Sequence, residues 1–154
     1  MDIFNPTLCL AKELKSSWCQ NIEAGKTKTS IPIEIMEGVP RLKMVYDRKS
    51  PQDWFAAVIP TQNSWEPSDL SKFNTLSFNI YIEEGSQGLV RFEDCKGKES
   101  NDFKFNDVVD RESCSAEINL KSIKKSELNM KSVKLIKFIG YKDAAFYISE
   151  VSLQ

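Results

Sequence analysis

The ten residues AAFYISEVSL, Ala144 to Leu153, read as a strand whose apolar alternation changes parity partway along. Phe146 and Ile148 share one face at period two, whereas Val151 and Leu153 fall on the opposite parity. A strand that keeps one face buried can change parity only by inserting an extra residue. A β-bulge is therefore expected at Ser149–Glu150.

Upstream of this segment the same period-two signal recurs. TLSFNIYI is the cleanest case, with Leu76, Phe78, Ile80 and Ile82 on one face and Ser77, Asn79 and Tyr81 on the other. TSIPIEI aligns Ile31, Ile33 and Ile35, with Pro32 arguing for an edge or strand-start position. RLKMVY aligns Leu42, Met44 and Tyr46, which favours Tyr46 as a core residue. GLVRFED sets Val90 and Phe92 against Leu89, Arg91 and Glu93. WFAAVIP, FKFNDVV, AEINL and KLIKFIG complete about nine strands, separated by turn signals such as EEGSQG, CKGKESND and GYKD. Helical pattern is weak. LCLAKELKSSW reads as one short helix or as a strand and loop, and SIKKSELN as a single turn. Many short strands with frequent turns predict an all-β, two-sheet antiparallel sandwich of jelly-roll type over residues 1–154, as one domain.

Composition narrows the function classes. The chain has 154 residues, 41% apolar and 28% charged, and its 21 basic and 22 acidic residues leave a net charge of −1. That balance offers no polyanion-binding surface, and the lysines of LKSIKKSELNMKSVK are too interrupted to form a nucleic-acid stripe. No apolar run approaches the ~20 residues of a membrane span. Neither nucleic acid nor membrane is an expected partner. The opening MDIFNPTLCLAKEL lacks a basic n-region and a small-residue cleavage site, so a signal peptide is not expected. The compartment is extracellular if the chain is part of a larger secreted enzyme. Histidine is absent, which removes the commonest general base and transition-metal ligand. Cys9, Cys19, Cys95 and Cys114 show no CxxC spacing, so a zinc site is not expected and four reduced thiols are.

The order of these segments resembles the jelly-roll carbohydrate-binding modules of bacterial cellulases and glycanases, in the galactose-binding-like superfamily. The matching pieces are Trp18, RLKMVY, DWFAAVIP, DLSKFNTLSFNIYI, GLVRFEDCKGK, AEINLKSI, VKLIKFIG and AFYISEVSL. The resemblance implies non-catalytic binding of a β-linked polysaccharide along one concave sheet, with a linked glycoside hydrolase domain as a partner. Aromatic rings would stack on the C–H faces of pyranose rings while carboxylates, amides and arginines bond the hydroxyls. Ligand-binding candidates on that reading are Asn79 with Tyr81, Arg91 with Glu93 on the next strand, and Tyr141 after KLIKFIG. DWFAAVIP matches a strand carrying a binding aromatic, and alternation leaves either Trp54 or Phe55 in the groove and the other in the core. Trp65, in the loop NSWEP, is a further aromatic candidate.

The resemblance also implies a structural calcium ion, held partly by an aspartate in the bulged closing strand. Here Ser149 occupies that position, leaving Glu150 and Asp2 as the candidate metal ligands. Six to eight oxygens, several of them carboxylate, are needed, so a calcium-free protein is the expectation and no other cofactor is implied.

Enzyme readings lack their parts. Glycoside hydrolysis needs two carboxylates ~5 to 9.5 Å apart across a cleft. Glu93 and Asp94 are adjacent on a strand and should point to opposite faces. No nucleophile elbow, phosphate loop or dinucleotide fingerprint is present. The alternative function is an intracellular protein-interaction or assembly domain on the same fold, since the complex I assembly factor family shares the closing pattern.

Overall fold

The computed structural model describes residues 1–4, 13–14, 18–23, 26–28, 31–45, 54–62, 64–124, 128–141 and 144–154. In chain order the strands are β1 (Asp2–Phe4), β2 (Glu13–Leu14), β3 (Trp18–Glu23), β4 (Lys26–Lys28), β5 (Ile31–Met36), β6 (Val39–Val45) and β7 (Trp54–Pro60). Then come β8 (Thr75–Ile82), β9 (Gln87–Asp94), β10 (Phe103–Lys104), helix α1 (Phe105–Val108) and β11 (Val109–Asp110). β12 (Ser115–Asn119), β13 (Val133–Tyr141) and β14 (Ala145–Leu153) complete the order. Eight strands form one sheet in the order β11-β12-β8-β14-β6-β5-β2, with β1 pairing β14. Six form the other, β10-β9-β13-β7-β3-β4. The result is the expected two-sheet antiparallel sandwich.

The closing strand carries its bulge, one residue beyond the expected place. Ser149 pairs with Asn79 and Ser152 with Ser77, so Glu150 and Val151 together oppose Phe78. Glu150 adopts a φ of 54°, in the left-handed region that non-glycine residues seldom enter. The extra residue lets Phe146, Ile148, Val151 and Leu153 all reach the core, each at most 1% exposed.

FKFNDVV is not a single strand. Only Phe103–Lys104 pairs with β9, after which one helical turn carries the chain across to β11 in the other sheet. Phe103 and Phe105 are both buried, so one short segment supplies rings to the core on either side of the crossing. LCLAKELKSSW contributes the two-residue strand β2, paired with β5. Three 3-10 turns begin at Asp69, Asn119 and Asn129. In each, the side-chain oxygen accepts the N–H two residues on, at 2.9–3.1 Å. Short acceptor side chains compete for backbone N–H groups in this way and nucleate turns.

The core is held across the sheets by aromatic rings. Phe78 meets Phe138 edge to face at 5.3 Å between centroids. Phe146 stacks on Phe55 at 5.3 Å and receives Phe105 edge to face at 5.0 Å. Room for this trio comes from Gly88 and Gly140, which are paired in register. A β-carbon on Gly88 would strike the Phe105 ring, and one on Gly140 would strike the ring of Phe55.

Replacing Gly140 with Ala should therefore overpack the sandwich and lower stability by about 1–3 kcal/mol. Urea denaturation is the measurement. Combined with Phe55→Leu, which shortens the obstructing side chain, the loss should be smaller than the sum of the two single losses.

Candidate functional site

Register across the central strands of the six-stranded sheet sets four rows on one parity. They read Trp54–Tyr141–Gln87, Ala56–Ile139–Leu89, Val58–Lys137–Arg91 and Pro60–Leu135–Glu93. Val90, Phe92, Ile136 and Phe138, of the other parity, belong to the core, so Lys137, Arg91 and Glu93 point outward. β3 extends two rows, with Trp18 opposite Val58 and Gln20 opposite Ala56. Four rows two residues apart give a face roughly 20 Å long. Its second row is a small apolar cluster, Ala56, Leu89 and Ile139, buried yet separate from the core. Tyr141, between Trp54 and Gln87 in the first row, is 40% exposed.

A connected charge network lies beside these apolar side chains. The Arg91 guanidinium donates through Nη1 to Glu99 Oε2 and through Nε to Asp102 Oδ1, both at 2.8 Å. Lys137 Nζ donates to Glu99 Oε1 at 2.6 Å and also pairs with Glu93. Glu99 and Asp102 arrive from the segment that follows β9, where Glu99 forms an isolated bridge with Glu93. Asp94 makes that segment turn. Its buried carboxylate accepts N–H groups from Lys96 and Lys98 at 2.8 and 3.1 Å, and from Asn129 at 3.2 Å. Burial pushes the Asp94 carboxyl up, but those backbone donors outweigh it and hold the group below the ordinary aspartate range.

The sequence-predicted residues divide between two faces. Arg91, Glu93 and Tyr141 share the outer face of the six-stranded sheet, and Trp54 stands opposite Tyr141 in register. Phe55 is not a groove residue: it is fully buried against Phe146. Asn79 and Tyr81 do not join Arg91 and Glu93. β8 and β9 are consecutive in sequence, yet β8 is flanked by β12 and β14, so the intervening turn carries the chain to the opposite sheet. There Tyr81 is 42% exposed, 6.1 Å from the ring of Tyr147, whose hydroxyl donates to Glu83. Asn79 donates to Glu150 Oε2 at 2.5 Å. Trp65 lies in a loop with φ 62°, its N–H bonded to the Gln62 carbonyl. Tyr46, Cys9 and the side chains of Trp18, Cys19 and Trp54 lie outside the described residues. Cys95 and Cys114 are free thiols.

Asp2 and Glu150 line a polar hollow of about 360 Å³ on the eight-stranded sheet, with Ser77, Asn79, Glu117 and Ser152. Glu150 is engaged by Asn79, and the hydroxyl of Ser149 stands where the resemblance implies a carboxylate. Among the described residues, no three His, Cys, Asp or Glu side chains are grouped to hold a metal ion. This donor set does not fit calcium. A second hollow of about 770 Å³, lined by Leu70, Phe73, Leu120, Ile123 and Met130 with lysines around them, contains none of the predicted site residues.

Lys137, Glu99 and Asp102 were not among the residues expected from sequence. Lys137 was within reach, because in VKLIKFIGY it shares the outward parity of Leu135, Ile139 and Tyr141. Glu99 and Asp102 come from a turn segment with no periodicity and could be found only in three dimensions.

The network should be visible in the pH dependence of stability. Burial pushes the Glu99 carboxyl up, but Lys137 and Arg91 outweigh it and hold the group below its ordinary value of 4.5. Its ionised form therefore favours folding above that value, and the contribution is lost as pH falls through the lowered one. Burial pushes Lys137 down, but Glu93 and Glu99 hold it above 10.5. Its contribution is present below 10.5 and lost as pH rises past the raised value. The difference in Tm between wild type and Glu99→Gln should be constant near neutrality and shrink below pH 4.5. Thermal melts down to about pH 3 test this, and an undiminished difference would contradict the network.

Comparison with known proteins bears on the whole chain. The family model for carbohydrate binding domain 30 matches residues 9–154. The crystal structure of a family 30 carbohydrate-binding module superposes with a TM-score of 0.76 at 16% identity, covering 99% of this chain and 86% of that one. The family 30 module of a cellulosomal cellulase of Clostridium thermocellum gives 0.73 at 18% identity, over 99% and 95% of the two chains. A family 11 module from another cellulosomal cellulase of that organism gives 0.63 at 12%, over 99% and 94%. No curated protein matches the sequence. The structural matches establish a shared fold, and the family match runs through both sheets to the last residue. The chain thus belongs to the carbohydrate binding domain 30 family, whose members are non-catalytic binding modules.

Proposed function

We propose that this module holds a β-linked polysaccharide chain along the outer face of the six-stranded sheet, without a structural calcium ion, as a piece of or companion to a glycan-acting enzyme. One observation carries the reading. An exposed tyrosine, Tyr141, shares that face with half-buried Arg91, Glu93 and Lys137, beside the buried side chains of Ala56, Leu89 and Ile139. A pyranose ring has apolar C–H faces and an equatorial belt of hydroxyls. Tyr141 suits the first and the charged side chains suit the second. Trp54, opposite Tyr141 in register, supplies a second aromatic position in the same row. The assembly-domain alternative has no comparable support, since the family is one of carbohydrate-binding modules. The companion enzyme is proposed from the relative described as a module of a cellulosomal cellulase.

Affinity electrophoresis in gels containing soluble glucan, mannan or xylan tests the reading. Wild type should be retarded by at least one, and Tyr141→Ala should weaken that binding by about 1–2 kcal/mol with little loss of stability. Tyr81→Ala, on the opposite sheet, should leave retardation unchanged. No retardation of wild type on any of the three would overturn the proposal.

The calcium part has its own measurement. A ligand that is not bound adds no linkage stabilisation, so EDTA should leave Tm unchanged. A fall of many degrees would mean that Glu150 and backbone carbonyls suffice to hold the ion.

A further inference from the structure

Among the described residues, the network contains two cations and three anions, linked in the order Asp102–Arg91–Glu99–Lys137–Glu93. Its formal charge is therefore −1. Glu99 is the bridge, because one carboxylate oxygen accepts from Arg91 and the other from Lys137. Asp102 and Glu93 each hold only one of the two cations. Side-chain exposure is 16% for Lys137, 25% for Arg91 and 22% for Glu93, so these charges are partly withdrawn from solvent and incompletely screened.

This arrangement treats neutral and anionic ligands differently. A hydroxyl both donates and accepts, so it can use the Arg91 N–H groups left over from two of five donors and the remaining lone pairs of the carboxylates. A carboxylate only accepts. The spare Arg91 N–H groups are open to it too, but it has no proton to give the network's carboxylates, and it meets two cations already neutralised by three fixed anions.

Building on the ligand face proposed above, we propose that Glu99 is its specificity-determining residue. By neutralising Arg91 and Lys137 together, it makes the face select neutral glycans over uronate-bearing ones. Glu99 acts as a positioning residue: it fixes both cations for hydroxyl contacts and removes them as anchors for an acidic polysaccharide. Glu93 completes the effect at Lys137.

The test compares one neutral β-glucan or β-mannan that retards wild type with the same polymer oxidised at C6 to its uronate, in affinity gels at low salt. Wild type should bind the neutral form more tightly. The double variant Glu93→Gln/Glu99→Gln, whose network carries a formal +1, should reduce that discrimination by about tenfold. The change should largely vanish near 1 M salt, where the screening length is about 3 Å. Lys137→Gln, which makes the network more negative, should increase discrimination at low salt. It gives an independent reading if the double variant folds poorly, as judged by circular dichroism. Discrimination unmoved by folded variants would overturn the role of Glu99 and leave the ligand face standing. Failure of wild type to bind any neutral glycan would overturn both.

Discussion

The sandwich depends on three phenylalanine rings seated over two glycines. Phe146 of the eight-stranded sheet stacks on Phe55 of the six-stranded one, and Phe105 of the crossover meets Phe146 at its edge. Gly88 and Gly140 lie side by side in register where any β-carbon would strike those rings. The constraint is one of volume, since a close-packed interior cannot absorb even one methyl group without moving its neighbours. It also fixes parity. With Phe55 and Gly140 facing the core, Tyr141 follows on the outward parity of β13. On β9, Gly88 facing inward puts Leu89, Arg91 and Glu93 outward. The outer face proposed to bind the ligand is the reverse side of the aromatic core.

As a ligand face it would combine two physically different kinds of contact. The exposed ring of Tyr141 can hold a sugar ring by dispersion and desolvation, with little directional demand. The charged network is directional, and its long side chains would lose much rotamer entropy if a ligand had to order them. Here the ordering is already done. Arg91 and Lys137 are each fixed by two carboxylates, so binding need not immobilise them. An isolated surface ion pair contributes little to stability, and for the binding proposed above this network would matter through preorganisation.

Period two in single strands was legible from sequence because one buried face forces alternation. Leu76, Phe78 and Ile80 are buried as TLSFNIYI implies, and Val90 and Phe92 face the core while Arg91 and Glu93 do not. The bulge was legible for the same reason. Alternation cannot tell which sheet a strand joins. Tyr81 and Arg91 are separated by one short turn, yet that turn changes sheets because β12 and β14 already flank β8. The groove residues inferred from neighbouring segments were thereby split between two faces. Phe55 and Trp54 were equivalent until the packing of Phe55 against Phe146 was known. Glu99 and Asp102 carried no signal, since a turn segment has no period to read.

The bulge makes the outer face of the eight-stranded sheet irregular at Glu150. Glu150 sits in a backbone region that costs energy for a residue with a β-carbon, and Asn79 on the adjacent strand bonds its carboxylate. Beyond the bulge, β14 turns Val151 and Leu153 inward and offers its other edge to β1, where Asp2 pairs with Ser152 and Phe4 with Val151. The outer face of the eight-stranded sheet thus carries the irregularity that closes the fold, with small polar side chains packed around it. The six-stranded sheet runs in continuous register through seven residue pairs from Leu135 to Tyr141 on β7, and over the same span on β9. A ladder unbroken over this span keeps alternate side chains in rows, as the proposed binding of a linear polymer would require. The rows stay intact because the register shift between β13 and β9, between Val133 and Leu135, falls beyond this span.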